Sequence, residues 1–231
     1  MKIVVVNFSG NVGKSTIAYH LLAPRMQDAE VIDIESKNVS EGEEEGLRGK
    51  QFAELSEALA LLNDAVVDVG SSNAEDFVTQ MRTFRGSHED FDYFIVPTVS
   101  ATKQQRDTVS TIETLSEMGV SAKKIRVLFN QVEPEQNVQH VFTGIFDYQN
   151  AEKTFTIRED AVVHSNELFP RLKGLGKSIA GILADPTDLK EELKAAKDDD
   201  AKLRISRLIA LKRLAVGVTE ELDVVFKALL K

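Results

Sequence analysis

Ser9-Gly10-Asn11-Val12-Gly13-Lys14-Ser15-Thr16, directly after an apolar run at residues 3–6, is the stretch that decides the fold. It predicts a strand that turns sharply into a helix, and such a turn directs several backbone N–H groups and the positive helix terminus at one point. Gly13 lets the backbone approach a phosphate closely, Lys14 can reach the β- and γ-phosphates, and Ser15 can ligate Mg²⁺. The stretch therefore predicts a site for nucleotide phosphates.

Length and composition indicate an ordinary soluble protein with a substantial core, because the 231 residues are 42% apolar and 28% charged. The chain has no cysteine, which excludes disulfides and thiolate metal sites and is typical of a reducing cytoplasm. No apolar run approaches the roughly 20 residues that span a bilayer, and no signal-peptide pattern is present. We expect a cytoplasmic protein that is not bound to a membrane.

The charge is unevenly distributed along the chain. The net charge of −9 argues against a uniformly basic nucleic-acid-binding surface. Residues 201–216 nevertheless contain five basic residues and no acid: Lys202, Arg204, Arg207, Lys212 and Arg213. This basic stretch, at residues 202–213, is either a solvated helix face or a surface for DNA, and an acidic run at residues 198–200 precedes it.

The order of elements predicts an α/β fold with a doubly wound, mostly parallel sheet, helices on both faces and a C-terminal helical extension. Predicted strands near residues 2–7, 30–34, 64–69, 92–97 and 125–130 alternate with predicted helices near 14–26, 51–62, 73–84 and 101–118. In such sheets a ligand binds beyond the carboxyl ends of the strands. The stretch at 9–16, Glu35, Gly70 and Asn130 all lie at such ends.

The remaining segments define the predicted domains. Residues 36–50 lack periodicity and form either a mobile loop over the site or a disordered insertion. After about residue 185 a charged helical stretch is followed by two predicted helices at 202–215 and 218–230. The last has an apolar stripe of Leu222, Val225, Phe226, Leu229 and Leu230. We expect a nucleotide-binding domain at 1–184 and a helical segment at 185–231 that packs on this domain or on a second subunit. A membrane-surface role is the lesser alternative for the amphipathic last helix.

Three acidic residues complete the predicted site. Asp68 ends an apolar strand just before Gly70, as expected of a Walker B aspartate that holds Mg²⁺ through water. Asp33 and Glu35 are two residues apart, so their side chains share one face of a strand. A carboxylate there can orient or deprotonate a water for attack on the γ-phosphate. The alternative is that strand ends simply favour polar residues.

The chain resembles the ParA/MinD ATPases over about residues 1–135. Gly10, Gly13, Lys14 and Ser15 match that family's deviant Walker A motif K-G-G-x-G-K-[ST]. Three further segments are similar to its D-x-D, Walker B and N-R-x-x-P motifs, respectively Asp33-Ile34-Glu35, Val66-Val67-Asp68-Val69-Gly70 and Asn130-Gln131-Val132-Glu133-Pro134. Ile95-Val96-Pro97-Thr98 looks like the strand after Walker B, and residues 170–182 resemble the closing segment. The general look is nearest to the StbB-type plasmid stability proteins of conjugative plasmids.

The resemblance implies a P-loop NTPase fold and a slow ATPase with ATP and Mg²⁺ as cofactors. It assigns catalysis to Lys14, Asp33 and Glu35, and the metal to Ser15 and Asp68. It assigns phosphate binding to the loop residues Gly10, Asn11, Val12, Gly13, Lys14, Ser15 and Thr16. It places Asn130 and Pro134 near the base of the nucleotide. It also implies a nucleotide-dependent homodimer that acts in plasmid stability, positioning or conjugative transfer. The partner would be a DNA-binding protein or plasmid DNA itself, the latter contacted through 202–213.

Four positions depart from these motifs. Phe8 stands where the usual G-x-x-x-x-G-K-[ST] loop has a glycine, and Ser9 replaces the family's signature lysine. Asn11 replaces a glycine but tolerates a left-handed conformation, and Glu35 replaces an aspartate. A cation at the transition state can be worth about 10³–10⁵ in rate, so a neutral Ser9 predicts slow turnover. Candidate substitutes for that cation are Arg48, Lys50, Arg171 and Lys173.

Two other functions stay open on the sequence alone. One is an ATP-dependent metabolic enzyme on the same architecture, resembling dethiobiotin synthetase, which would need a second polar pocket shaped for its substrate. The other is a nucleotide-binding scaffold that hydrolyses nothing, which the neutral Ser9 would suit.

Overall fold

The computed structural model describes residues 1–34 and 49–231. Within them, a six-stranded, all-parallel sheet has the strand order β2-β3-β1-β4-β5-β6. The strands are β1 (Lys2–Val5), β2 (Glu30–Ile34), β3 (Ala65–Val69), β4 (Tyr93–Thr98), β5 (Ile125–Val132) and β6 (Val162–His164). Because the order reverses at β1, the sheet is doubly wound. The predicted fold class is confirmed.

Helices connect the strands. The first, α1, changes type along its length: it is α-helical at Lys14–Thr16, π-helical at Ile17–Leu22 and 3₁₀ at Ala23–Arg25. The helices between later strands are α2 (Gly49–Leu61), α3 (Ala74–Thr83), α4 (Thr102–Glu117), α5 (Val138–Val141) and α6 (Thr143–Glu152). The helices after β6 are α7 (Leu168–Leu175), α8 (Ile179–Ala184), α9 (Leu189–Ala195) and α10 (Asp199–Leu230).

Burial explains why the strands were visible in the sequence. Ile3, Val4 and Val5 of the central strand β1 are all completely buried, as expected of a parallel strand that is covered on both faces. On one face, Val4 joins a core in which the tilted rings of Phe77 and Phe91 have their centroids 6.4 Å apart. Apolar burial of this extent holds β1 and the loop that follows it in a fixed place.

The structure corrects one prediction about secondary structure and adds elements that the sequence did not predict. The two helices expected at 202–215 and 218–230 are one helix, α10, which runs through Gly217. An exposed glycine costs a helix only about 1 kcal/mol, and buried Ala215 and Val218 anchor both sides of it. No element was predicted between residues 135 and 165, where β6, α5 and α6 lie. The loop predicted at 36–50 lies outside the described residues except for its last two, which begin α2.

The contacts divide the chain into two units. The first comprises Met1–Ser165 and Val225–Lys231, and the second comprises Asn166–Val224. The sequence placed its domain boundary near residue 184, inside the second unit, because the apolar pattern changes there. In the described part of the chain, no helix is both long and apolar enough to cross a membrane.

Candidate nucleotide site

The predicted phosphate loop joins β1 to α1 at the carboxyl edge of the sheet. Gly13 has a φ of 85° and directly precedes the first helical residue, Lys14. Asn11 is also left-handed, with a φ of 59°, a conformation that its short polar side chain tolerates. The N–H groups of a first helical turn have no partner within their own helix. The loop therefore has the backbone shape and the free donors that an anion site needs.

Lys14 is the best-defined charged group of this loop. Its ammonium donates hydrogen bonds to the carbonyl oxygens of Asn7 at 3.1 Å and Ser9 at 2.8 Å. Burial lowers the pKa of Lys14 to about 8, and the charge of nearby Asp68 opposes this shift. The loop thus holds a lysine in place beside a carboxylate.

Asp68 and Asp33 lie at the same edge of the sheet. Asp68 in β3 is in register with Val5 of β1 on one side and with Asp33 of β2 on the other. Asp68 is buried, whereas Asp33 is exposed and accepts a hydrogen bond from the Tyr19 hydroxyl of α1. Glu35, the other predicted catalytic carboxylate, lies outside the described residues.

The donor set at the loop suits Mg²⁺. Ser15 is exposed at the start of α1 and offers a hydroxyl, and buried Asp68 offers a carboxylate beside Lys14. Mg²⁺ takes oxygen ligands and keeps several waters, so one or two protein oxygens are enough. Over residues 1–34 and 49–231, no group of three or more carboxylate or histidine side chains could hold a metal. The chemistry fits a metal held mainly by substrate phosphates.

Asn130 lies against the phosphate loop. Its side-chain amide donates to the carbonyl oxygen of Val12 at 2.9 Å, and a Cβ added to Gly13 would lie 2.2 Å from the same nitrogen. The pairing of β5 with β6 is irregular between Asn130 and Val132, and Gln131 between them has a φ of 55°. The base contact that the resemblance implies for Asn130 stays a prediction.

Solved structures of known proteins share the fold that carries this site. No protein-family model and no curated protein matches the chain. Among solved structures, the cell division protein MinD of Aquifex aeolicus matches with a TM-score of 0.53 and 15% identity, over 94% of this chain and 97% of that one. The MinC:MinD complex of the same organism matches with a TM-score of 0.50 and 14% identity, over 94% and 96%. The chain has the fold of the ParA/MinD-type ATPases.

A third structure, apo McdA of Cyanothece, matches with a TM-score of 0.49 and 13% identity, over 99% of this chain and 98% of that one. The similarities to MinD and to the MinC:MinD complex extend over nearly the whole chain. The family resemblance of the sequence covers only about its first 135 residues, so the fold comparison extends the likeness through the C-terminal helices. At these low identities the comparison concerns the fold.

Within this MinD-type fold, Ser9 is almost completely buried. Its hydroxyl has no hydrogen-bond partner among the described residues, yet it lies close enough to Asp107 to affect that carboxyl. The pKa of Asp107 is lowered mainly by its hydrogen bond with Lys103, and also by the Ser9 hydroxyl. The position of the family's signature lysine is thus a neutral, inward-facing one.

The candidate residues for supplying the missing positive charge belong to different helices. Lys50 is exposed in the first turn of α2, with its ammonium 3.8 Å from the carboxylate of Glu54. Arg171 and Lys173 belong to α7 in the second unit, where Arg171 pairs with Glu167. Arg48 lies outside the described residues.

Two further predicted features are placed by the structure. Pro134 occupies a turn in which the Gln136 N–H donates to the Glu133 carbonyl oxygen at 2.9 Å. In the acidic run, the Asp198 carboxylate accepts from the Ala201 N–H at 2.7 Å, so one member of the run caps the start of α10.

A cavity of about 640 Å³ in the first unit is separate from the loop in its lining residues. Its walls come from α5, α6 and the segment before β6: Gln139, His140, Thr143, Phe146, Asp147, Gln149, Asn150, Ile157 and Glu159. No residue of the phosphate loop lines it, so this cavity does not supply the substrate pocket that a metabolic synthetase would need beside its nucleotide.

Sequence reasoning missed the polar residues that support the loop. Asn7, Thr108 and Thr111 are completely buried and bonded to one another or to the loop backbone. The signal for Asn7 was a polar residue that directly follows four apolar ones. The two threonines are three residues apart in a helix and therefore share a face, but nothing in the sequence indicates what that face contacts.

Proposed function

We propose that this chain is an Mg-ATP-binding switch protein of the ParA/MinD type that hydrolyses ATP slowly. One observation carries the proposal: Lys14 is held by two loop carbonyls beside Asp68, at the edge of a doubly wound sheet where ligands bind. The carbonyl partners of Lys14 are neutral, so a bound anion would further stabilise its charge, and a polyphosphate is the anion that this loop suits. The MinD-type fold supports the same function.

Each residue of the site has a proposed role. The N–H groups of the loop and Lys14 would bind the phosphates, and Ser15 and Asp68 would hold Mg²⁺. When bound, Mg²⁺ would supply positive charge that stabilises the negative charge developing on the phosphates. Asp33 and Glu35 are the proposed groups for orienting the attacking water. Because Tyr19 engages the Asp33 carboxylate, Glu35 is the stronger proposal of the two.

ATP binding tests the site itself. Titration calorimetry with Mg-ATP is expected to show binding by the wild type and none by Lys14→Ala. Lys123→Ala removes an exposed lysine just before β5, at the amino edge of the sheet, and serves as the matched control, with unchanged affinity. Binding that persists in Lys14→Ala would overturn the proposed site.

Turnover tests the proposed chemistry. Phosphate release is expected to be slow, because buried Ser9 cannot give the transition state a positive charge, which can be worth about 10³–10⁵ in rate. Asp68→Ala and Glu35→Ala should stop turnover and leave measurable ATP binding. Binding without any turnover, even with DNA and candidate partner proteins added, would establish the second function that Ser9 favours, a nucleotide-binding scaffold.

We further propose that nucleotide controls a homodimer and its contact with a DNA-binding partner protein or plasmid DNA, in plasmid stability, positioning or conjugative transfer. The support is the family resemblance and the fold, together with the exposed cations of α10. Lys202, Arg204, Arg207 and Arg213 are exposed, whereas Lys212 donates to the Asp185 carbonyl oxygen at 2.8 Å.

Salt dependence separates the two kinds of DNA contact. Direct binding through α10 should weaken steeply with salt, and Arg207→Gln should reduce the slope of log affinity against log salt by about 1. Lys212→Gln removes an engaged ammonium and should change the slope less. A wild type that does not bind DNA until a partner protein is added would favour indirect contact.

A further inference from the structure

The segment that leads into the phosphate loop is hydrogen-bonded to α4. The side-chain amide of Asn7 donates to the Thr108 hydroxyl at 2.8 Å, and the backbone N–H of Phe8 donates to the Thr111 hydroxyl at 3.1 Å. Asn7 also accepts from the Ser9 N–H at 2.7 Å. Asn7, Thr108 and Thr111 are completely buried, so water has little access to their side chains.

The two threonine hydroxyls are oriented for this task. Thr108 donates to the Gln104 carbonyl oxygen at 2.8 Å, and Thr111 donates to the Asp107 carbonyl oxygen at 2.7 Å. A hydroxyl has one proton and two lone pairs, so each threonine that donates within α4 presents only lone pairs to the loop. The loop supplies the matching donors, the Asn7 amide and the Phe8 N–H.

The loop residues that are hydrogen-bonded to α4 lie next to the carbonyl groups that bind Lys14. The Lys14 ammonium bonds to the carbonyl oxygens of Asn7 and Ser9, which flank the Phe8 peptide fixed by Thr111. At Phe8 the usual phosphate loop has a glycine. A displacement of this segment would therefore displace the group that binds phosphate.

We propose that Thr108 and Thr111 are positioning residues of the nucleotide site, which fix residues 7–9 and through them Lys14. The inference rests on the proposed function, because it concerns affinity for ATP. It predicts that a face of α4 with no contact to the nucleotide determines how tightly the nucleotide binds.

Thr111→Val tests the proposal, because valine keeps the shape of threonine and removes the acceptor. The part-buried Phe8 N–H then loses its acceptor, which weakens the attachment of the loop to α4. We expect the Kd for Mg-ATP in titration calorimetry to rise roughly tenfold, which corresponds to about 1.4 kcal/mol. Thr108→Val should act in the same direction through Asn7, and it carries the same test if Thr111→Val does not fold. Its effect should be smaller, because the Asn7 amide also donates to the Pro97 carbonyl oxygen at 2.9 Å.

Thr114→Val is the matched control. Thr114 lies on the same helix and donates to the Ser110 carbonyl oxygen at 2.8 Å, but it is only half-buried and this bond is exposed to solvent. The substitution removes the same hydroxyl from the same kind of helical bond, so its Kd should stay within about twofold of the wild type. Thr111→Ser keeps the acceptor and should restore most of the affinity, which a purely packing role for the threonine methyl would not do.

The outcomes are separable when all affinities are measured well below each variant's melting temperature. A folded Thr111→Val that binds ATP as the wild type does would overturn the inference and leave the proposed function intact. An equal loss in Thr111→Val and Thr114→Val would also overturn it, since the effect would belong to the helix. A wild type that does not bind ATP, or a Lys14→Ala variant that does, would instead overturn the proposed function.

Discussion

Gly13→Ala is expected to destabilise the chain for two separable reasons. Alanine at a φ of 85° incurs the left-handed penalty of roughly 1–2 kcal/mol. Its Cβ would also lie 2.2 Å from the Asn130 side-chain nitrogen, far inside contact distance. Asn130 must then move and lose its bond to the Val12 carbonyl oxygen, which adds about 0.5–1.5 kcal/mol and more if a buried group is left without a partner.

Gly86→Ala isolates the first penalty. Gly86 has a φ of 88° and no atom within 4 Å of an added Cβ, so it should show the left-handed cost alone. Urea denaturation without nucleotide, followed by circular dichroism, should give Gly13→Ala a loss larger by about 1–2 kcal/mol. In melting temperature the extra loss is roughly 2–8 °C for a chain of this size.

A double-mutant cycle completes the measurement. In an Asn130→Ala background the overlap is absent, so Gly13→Ala should cost about as much as Gly86→Ala does in the wild type. Equal losses for the two glycine variants in the wild type would refute the packing of Asn130 on the loop. A Gly13→Ala loss that does not change in the Asn130→Ala background would refute it as well.

Three further predictions concern charged groups. Between pH 8 and 10.5 the folded chain has released the Lys14 proton and the unfolded chain still holds it. The free energy of unfolding of the wild type, relative to that of Lys14→Met, should therefore rise with pH through this window. A difference between the two that does not change with pH would show that Lys14 is not buried. Asp68→Asn removes a charge that raises the pKa of Lys14, so an NMR titration of that side chain should give a lower pKa, and a higher one would contradict the contact. Asp198→Ala should cost about 1 kcal/mol of stability by removing the cap of α10, and Asp200→Ala, one of the exposed residues that follow, should cost less; equal losses would mean that the cap contributes nothing.

The first five strands and the phosphate loop could be predicted because their signals are local. A parallel strand that is buried on both faces reads as a continuous apolar run, as Ile3, Val4 and Val5 do. The polar residues that end such runs, Asp68 and Asn130 among them, lie at the ligand-binding edge of the sheet for topological reasons. Position at that edge was therefore accessible from the sequence.

The orientation of the side chains within the site could not be predicted from the sequence, because it depends on contacts between segments that are distant along the chain. Asn130 and Val12 are separated by 118 residues, and the irregular pairing around Gln131 that accompanies the contact has no sequence signature. Strand β6 has only three residues, too few for a period to emerge. The bonds from Thr108 and Thr111 to the loop join segments about a hundred residues apart.

The two hydrogen bonds of Lys14 to the Asn7 and Ser9 carbonyls have a thermodynamic consequence for ligand binding. They give the loop its shape from within the chain, so little backbone would have to become ordered when a phosphate binds. Preorganisation of this kind lowers the entropic cost of association. A ligand that is mostly charged and buries little apolar surface should then bind with a small heat-capacity change and a favourable enthalpy.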